Sequence, residues 1–374
     1  MVLYVDGMWF RHTGIGRIYE NLLQGLVRSD AVECIHTIVS PERKGEFLDR
    51  FSDRKVLPRF VRFPYDYREM LRKGLALRDL DPKPHLFHFP SFNVPYFLDG
   101  RVVSTVCDLI PLTPFFDLPW HMRARFRLAV RHALARSART VCISQGTRDH
   151  VVKEFGTGTG SLEVIHPPLN FLRRDGAAEA GAGPPIVPGE YLLYVGNRNP
   201  HKNLRCLLEA FRILAPEIPD CRLVVAGSRM RSTDDMDVAG RSPELQGRLV
   251  EIPSPSDSEV HNLYEHARVF VFPSLIEGFG IPPLEALWHE VPVVCSDIPV
   301  AREVCGGAVR YADPRDPADF ACAMRLALRE PKDVERRKAG KEWVNRYSCD
   351  TVTRQYLDLF RRCIASGPAS TVPL

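Results

Sequence analysis

Long apolar runs are missing from this chain. No stretch of its 374 residues reaches the ~18 apolar residues that a membrane span requires. The start, Met1-Val2-Leu3-Tyr4-Val5-Asp6, has no basic stretch followed by an apolar core, so no secretory signal is expected. No Cys-x-x-Cys pair occurs among the 10 cysteines, which are scattered at 34, 107, 142, 206, 221, 295, 305, 322, 349 and 363. That scatter argues against a zinc module and a disulfide framework, and the thiols read as reduced core residues of a cytosolic protein. An excess of one charge sign is also missing. Lys and Arg number 50, Asp and Glu 46, for a net charge of +4. The imbalance is regional. Residues 1–172 hold 24 basic and 18 acidic residues (+6), and residues 173–374 hold 26 and 28 (−2). The first half is thus the face for an anionic partner, yet too mildly basic for a nucleic-acid binder.

What is present reads as a globular protein. Hydrophobic residues make up 45% and charged residues 26%, ordinary values for a chain with a sizeable core. The length suggests about two domains. Short apolar strands are expected at 2–5, 32–39, 85–89, 102–107, 140–144 and 162–166, with helices at 17–27, 68–77, 121–138 and 145–155. Residues 7–16 read as a loop before the first helix, whose apolar positions are Ile18, Leu22, Leu23 and Leu26. A Gly-, Ala- and Pro-rich stretch at 175–189 reads as a linker. The rhythm then restarts, with strands at 191–195, 222–226, 249–252, 269–272, 291–295 and 308–311 and helices at 204–214, 258–267, 282–288 and 317–328. A final helix is expected at 350–363 on Val352, Tyr356, Leu357, Leu359 and Phe360, with 364–374 frayed. Alternating strands and helices argue for two parallel sheets, whose ligands bind at the carboxyl ends of the strands.

Two strand-to-helix loops carry candidate chemistry. In Gly196-Asn197-Arg198-Asn199-Pro200-His201-Lys202-Asn203, two cations four residues apart precede a helix. Arg as a fork and Lys as a point charge beside a helix N-terminus suit a diphosphate; two solvated basic residues are the plainer alternative. In Pro273-Ser274-Leu275-Ile276-Glu277-Gly278-Phe279-Gly280-Ile281-Pro282-Pro283-Leu284-Glu285, Gly278 and Gly280 allow close backbone approach, and Pro282 suits the first helical position. Glu277 before the helix and Glu285 inside it suit a polyhydroxylated ligand. Two Asp-x-Asp triplets, Asp79-Leu80-Asp81 and Asp235-Met236-Asp237, follow no convincing core strand and read as solvated carboxylates. Gly14-Ile15-Gly16 lacks the third glycine of a dinucleotide fingerprint.

These segments resemble retaining GT-B glycosyltransferases of glycosyltransferase family 4. Matching features are Val195-Gly196 through Asn203, Leu223 to Gly227, Pro273 to Ala286 and Val293 to Pro299. In the first half they are Gly14-Ile15-Gly16-Arg17, Ile143-Ser144-Gln145 and Val164-Ile165-His166-Pro167. The resemblance implies an α/β GT-B fold, with two Rossmann-like domains facing a central cleft. The domains would be 1–174 on the acceptor side and 190–346 on the nucleotide-sugar side, with 347–374 as a helix crossing back to the first.

The resemblance also implies roles. Arg198 and Lys202 would hold the donor diphosphate, Glu277 the sugar hydroxyls, and Glu285 the ribose. The amides of Gly278, Phe279, Gly280 and Ile281 would contact sugar and phosphate, with Gly14 and Gly16 letting the first loop approach the phosphates. No metal and no cofactor are implied, because Arg, Lys and helix dipoles stabilise the leaving diphosphate. Many family members carry His-Asp where this chain has Cys107-Asp108, so Asp108 is expected to carry the polar role and Cys107 to fill space. His88, Phe92 and Asn93 are candidates for the acceptor side; for His88 a packed strand-end histidine fits the sequence equally well.

The expected reaction is transfer of mannose or rhamnose, with a GDP-sugar favoured as donor. The acceptor would be a glycan or lipid-linked oligosaccharide in surface-polysaccharide assembly. A sugar-nucleotide epimerase or hydrolase and an inactive glycan-binding relative are the alternatives. The arginine-rich stretch from Trp120 to Arg139 reads either as a helix touching anionic lipid headgroups or as a packed helix with solvated arginines. The protein is expected in the cytoplasm, with peripheral contact at the inner membrane through its basic first half.

Overall fold

The computed structural model describes residues 1–11, 13–62, 73–116, 118–156, 162–170, 183–229, 235–239, 242–329 and 334–366. The chain forms two compact units. The first takes residues 1–112, 118–170 and the chain from 347 onward; the second takes 113–117 and 171–346.

The first unit is a seven-stranded parallel sheet in the order β3-β2-β1-β4-β5-β6-β7. Its strands are β1 (Val2–Val5), β2 (Cys34–Val39), β3 (Val56–Phe60), β4 (Leu86–Phe89), β5 (Val102–Val106), β6 (Arg139–Cys142) and β7 (Leu162–Val164). β1, β2, β4 and β5 are buried along their whole length, as expected for a sheet covered on both faces. Sequence reading missed β3, because Pro58 and Arg59 interrupt its apolar run. The strand lies at the sheet edge, where a missing N–H costs least. The helices here are α1 (Thr13–Arg28), α2 (Lys44–Arg50), α3 (Trp120–Arg136) and α4 (Gln145–Phe155). Ser144 caps α4, its Oγ accepting the Thr147 N–H at 2.9 Å.

α1 begins at Thr13, not Arg17, which corrects the expected loop over 7–16. Gly14 and Gly16 therefore lie in the first helical turn. Around Gly14 there is open space, but a Cβ on Gly16 would come within 2.2 Å of the Trp9 carbonyl oxygen. The turn before the helix folds onto its first residues, and only glycine fits beneath it.

The second unit is a six-stranded parallel sheet in the order β10-β9-β8-β11-β12-β13. Its strands are β8 (Tyr191–Val195), β9 (Arg222–Ala226), β10 (Leu249–Ile252), β11 (Val269–Phe272), β12 (Val293–Ser296) and β13 (Arg310–Ala312). Its helices are α5 (Leu204–Leu214), α6 (Asp235–Ala239), α7 (Asp257–His266), α8 (Ile281–Trp288), α9 (Pro299–Cys305), α10 (Pro317–Arg329) and α11 (Val334–Val344). α5 and α10 bury Leu207, Phe211, Phe320 and Met324 in one core cluster with the sheet. Sequence reading missed α9, one short turn pair opening on Pro299, and α11, whose VERRKAGKEWV sequence has no apolar stripe. Of the expected linker, 175–182 lies outside the described residues and 183–189 carries no helix or strand. Of the expected helix at 68–77, residues 68–72 lie outside the described residues and 73–76 are helical.

The last helix, α12 (Cys349–Ala365), belongs to the first unit. Val352, Tyr356, Leu357, Leu359 and Phe360 are all buried there in the cluster that contains Leu3, Val5, Leu22 and Leu26. It lies close against α1: a Cβ on Gly25 would meet Thr353 Oγ1 at 1.9 Å. The helix runs on through 364 and 365, which corrects the expected fraying there; 367–374 lie outside the described residues.

Each sheet reverses its strand order once, between β1 and β4 and between β8 and β11. Loops leaving the carboxyl ends of such neighbours diverge and leave room for a ligand. Arg198, Lys202 and Glu277 sit on the β8 and β11 loops, and Phe92 and Asn93 follow β4.

Candidate active site

In the second unit the β8 and β11 loops are tied together by backbone contacts. Asn203 adopts left-handed φ of 57° between a 3-10 turn (Pro200–Lys202) and α5. Its side-chain amide donates to the Pro273 carbonyl at 2.9 Å and the Pro314 carbonyl at 2.7 Å. The Leu275 N–H donates to the His201 carbonyl at 2.8 Å. These contacts bring Lys202 to Glu277: Nζ donates to Oε1 at 2.7 Å, with side chains 15% and 8% exposed. The same ammonium stands 5.6 Å from the centre of the Phe272 ring, a cation–π contact.

Arg198 is buried four residues earlier and forms an ion pair with Glu251 at 2.7 Å. Glu251 in turn takes the Arg229 guanidinium, Nε to Oε1 at 2.6 Å, and Arg229 also holds Asp237 at 3.1 Å. Hydrogen bonds from Arg229 first, then from Arg198, pull the Glu251 carboxyl down to about 2. Its contribution to stability is therefore complete above the ordinary glutamate range near 4.3 and is lost as pH falls toward about 2. His201 sits below the ordinary histidine range because it is buried and because Lys202 adjoins it. Behind the loop, a Cβ on Gly227 would come within 2.1 Å of the Gly196 carbonyl oxygen, at a φ of +134°. Glycine there lets the β9 loop pass directly under the β8 loop.

The β11 loop leads into α8, whose N-cap is Gly280 at φ 93°. Pro282 stands at the second helical position, not the first, and Pro283 follows. Two consecutive prolines remove two of the amides a helix start normally offers. At the helix start the N–H groups of the N-cap Gly280 and of Ile281 remain. Gly278 and Phe279 are buried. One turn inside, Glu285 Oε2 accepts from the Tyr264 hydroxyl of α7 at 3.1 Å. A cavity of about 500 Å³ opens beside this loop, lined in part by Leu275, Ile276, Asp297, Tyr311 and Asp313.

In the first unit the loops after β4 and β5 hold the remaining candidates. His88 is fully buried, with ring centroids 5.3 Å from Tyr356 and 5.4 Å from Phe360. Burial drops its pKa to about 3. With no exposed surface, His88 matches the packed strand-end histidine, the second of the two readings its sequence allows. Phe92 packs edge-on against Phe126 at 4.8 Å, and the Asn93 N–H donates to Ser91 Oγ at 3.2 Å. Cys107 and Asp108 are half-buried neighbours. The Cys107 thiol points at the Pro90 carbonyl at 3.7 Å, and burial, helped by Asp108, pushes it above the ordinary thiol range. Asp108 Oδ1 accepts the Ile110 N–H at 3.0 Å, closing the turn into a short 3-10 segment, Ile110–Leu112.

Sequence reading did not single out four residues of these sites. Asp6 follows β1 directly and is fully buried; it accepts from the Tyr4 hydroxyl at 2.8 Å and from Lys73 Nζ at 3.1 Å. These side chains are 0% and 1% exposed for Asp6 and Lys73, and a buried charge persists only when paired. A carboxylate after an all-apolar strand is the sequence signal for Asp6. Lys73, Glu251 and Tyr264 carry no such signal, since their partners are distant in sequence. The Asp-x-Asp triplets behave as expected in part: Asp79 is exposed and Asp237 pairs with Arg229.

Comparison with known proteins follows the same division. A family model described as Glycosyltransferase Family 4 matches residues 12–171, and one described as Glycosyl transferases group 1 matches 185–343. The chain is 28% identical to O-antigen chain mannosyltransferase B of Escherichia coli over 93% of this chain and 96% of that one. It is 30% identical to the GDP-mannose:cellobiosyl-diphosphopolyprenol alpha-mannosyltransferase of Xanthomonas campestris, over 67% of this chain and 66% of that one. Anabaena HepE, solved with UDP and glucose, superposes with a TM-score of 0.73 over 97% of this chain and all of that one, at 13% identity. No helix of the described residues is long and apolar enough to cross a membrane. With two parallel-sheet units of Rossmann type and both family domains in sequence, the chain belongs to the GT-B glycosyltransferases of family 4.

Proposed function

We propose that this glycosyltransferase moves a mannosyl group from GDP-mannose to a hydroxyl of a glycan or lipid-linked oligosaccharide, with retention at the anomeric carbon and without a metal at the diphosphate. The observation that carries the reading is the Lys202–Glu277 pair at the strand-order reversal of the second sheet, with Arg198 behind it. A cation and a carboxylate 2.7 Å apart offer one group for a phosphate and one for sugar hydroxyls. The choice of mannose and of surface polysaccharide follows the names of the relatives in Escherichia coli and Xanthomonas.

In this reading Lys202 and Arg198 hold the diphosphate, and the amides of Phe279, Gly280 and Ile281 add the positive end of α8. Glu277 orients the sugar and Glu285 takes the ribose. The anomeric C–O bond to the phosphate breaks, the acceptor oxygen bonds to the same face, and the acceptor proton passes to the leaving phosphate oxygen. Preorganised cations stabilise the charge that grows on that oxygen. Loops of the first unit, with Asn93 and Asp108, take the acceptor.

A melting screen with GDP-, UDP- and dTDP-sugars tests the donor. At ~100 times its dissociation constant a ligand stabilises by ~2.7 kcal/mol, and GDP-mannose is expected to rank first. Product analysis then asks for an α-linked mannoside, with turnover unchanged by EDTA. Donor hydrolysis or interconversion without acceptor would replace this reading by the epimerase or hydrolase. Binding without turnover of any kind would indicate the inactive relative.

The lipid end of such an acceptor would be met at the cytoplasmic membrane face by α3. Trp120 is 81% exposed there, Met122 and Leu128 are exposed, and Arg123, Arg125, Arg127 and Arg131 lie among them. Aromatic and basic side chains together favour an anionic headgroup layer. Co-sedimentation with vesicles containing anionic lipid is expected, and Trp120→Ser with Leu128→Ser should reduce it severalfold. Equal sedimentation of the variant would leave α3 with solvated arginines only.

A further inference from the structure

Two helices of the second unit bring a metal-ligand set together away from the Lys202–Glu277 pair. His261 and Glu265 are four apart on α7, so they share one helical face. His289 is the C-cap of α8. One ligand atom from each of the three lies within 4.8 Å of the other two. His261 Nε2 stands 3.7 Å from Glu265 Oε1, and the His261 and His289 rings meet edge to face at 4.2 Å. All three residues are half-buried, so an ion could enter from solvent and keep a water. Among the described residues no other group of His, Cys, Asp and Glu closes in this way.

We propose that His261, Glu265 and His289 form a site for zinc, or a divalent cation of similar character, which joins α7 to the carboxyl end of α8. Two imidazoles and one carboxylate are the donor set of zinc; calcium and magnesium prefer oxygen alone. Tetrahedral zinc, with bonds of about 2.0–2.1 Å, places its ligand atoms roughly 3.3 Å apart. The ligand atoms, now within 4.8 Å of one another, would close to that spacing on binding.

The scaffold around the set is already ordered. His289 stacks on Tyr264, centroids 5.6 Å apart and planes within 10°. The Tyr264 hydroxyl in turn donates to Glu285 and to the Pro282 carbonyl at 3.3 Å. Outer partners of this kind fix the orientation of a ligating imidazole. The ion shares no ligand with Lys202, Glu277 or Glu285, and its role is to hold the two helices together.

Calorimetric titration of the full-length, tag-free, EDTA-stripped protein with zinc chloride tests the site. One zinc per chain is expected, and cobalt(II) in its place should show the visible absorption of a four-coordinate ion. His261→Ala and His289→Ala should each weaken zinc binding at least about tenfold, since even outer partners are worth 10–100-fold. Glu265→Gln, which keeps the side chain's shape, should weaken it as well. Zinc should raise the melting temperature of the wild type and leave both histidine variants unmoved. Metal-free melting of each variant shows that it is folded. Zinc affinity unchanged in both histidine variants, or no binding below millimolar zinc in the wild type, overturns the proposal.

Discussion

Lys202→Ala is expected to lower kcat/KM by about 10²–10³, the usual loss when one preorganised donor to a developing oxyanion is removed. Two effects combine. The ammonium that would face the leaving phosphate disappears. Its partner Glu277, only 8% exposed, is then left as an uncompensated carboxylate toward a dianionic diphosphate. Lys202→Arg keeps the charge but exchanges a compact ammonium seated on the Phe272 ring for a wider fork, and should recover activity only in part. Glu277→Ala relieves the unpaired charge, so the double variant should lose less than the two single losses combined. Arg198→Ala should match Lys202→Ala in rate but also lower the melting temperature, because Arg198 is buried against Glu251. Rates within threefold of wild type for both single variants, with donor saturating, would remove the diphosphate assignment.

The sequence made the second unit legible almost strand by strand, for a physical reason. Parallel strands buried on both faces, such as Val269–Phe272 and all but the last residue of Tyr191–Val195, are apolar throughout, and the polar loops after them stand out. Arg198, Lys202, Glu277 and Glu285 stand out as candidates in the sequence because strand end, loop and helix start follow each other locally. What pairs with them could not. Glu251 reaches Arg198 from a strand two positions away in the sheet, and Tyr264 reaches Glu285 from another helix. Periodicity carries no information about such partners. His88 stays open in sequence for a related reason: its strand end fits a ligand or a core, and α12, more than 250 residues later, covers it with Tyr356 and Phe360. The start of α1 misled because Gly14 and Gly16 resemble loop residues, while Gly16 is required by the overlying Trp9 carbonyl.

Asp108→Asn is expected to lose about 10²-fold or more in rate, while Cys107→Ala stays within about tenfold of wild type. The two residues are adjacent and equally half-buried, so their chemistry decides. A general base works best with a pKa near the operating pH. Burial pushes the Cys107 thiol the other way, above its ordinary range, and the neighbouring carboxylate adds to the shift. At neutral pH the group is a thiol that rests against the Pro90 carbonyl, and alanine removes little but its volume. Asp108 differs in both respects. Its side chain is a carboxyl and not a thiol, and one oxygen already closes the turn to the Ile110 N–H. Asparagine keeps a carbonyl oxygen for that turn but replaces the second, accepting oxygen by a donating NH2 and removes the charge, so a rate loss in a variant with unchanged melting temperature reports the loss of the carboxylate and not of the turn. Asp108→Ala should lose the turn as well and melt lower. Initial rates of the variants with the true donor and acceptor decide the assignment: an inactive Cys107→Ala beside an active Asp108→Asn would transfer the polar role to the thiol.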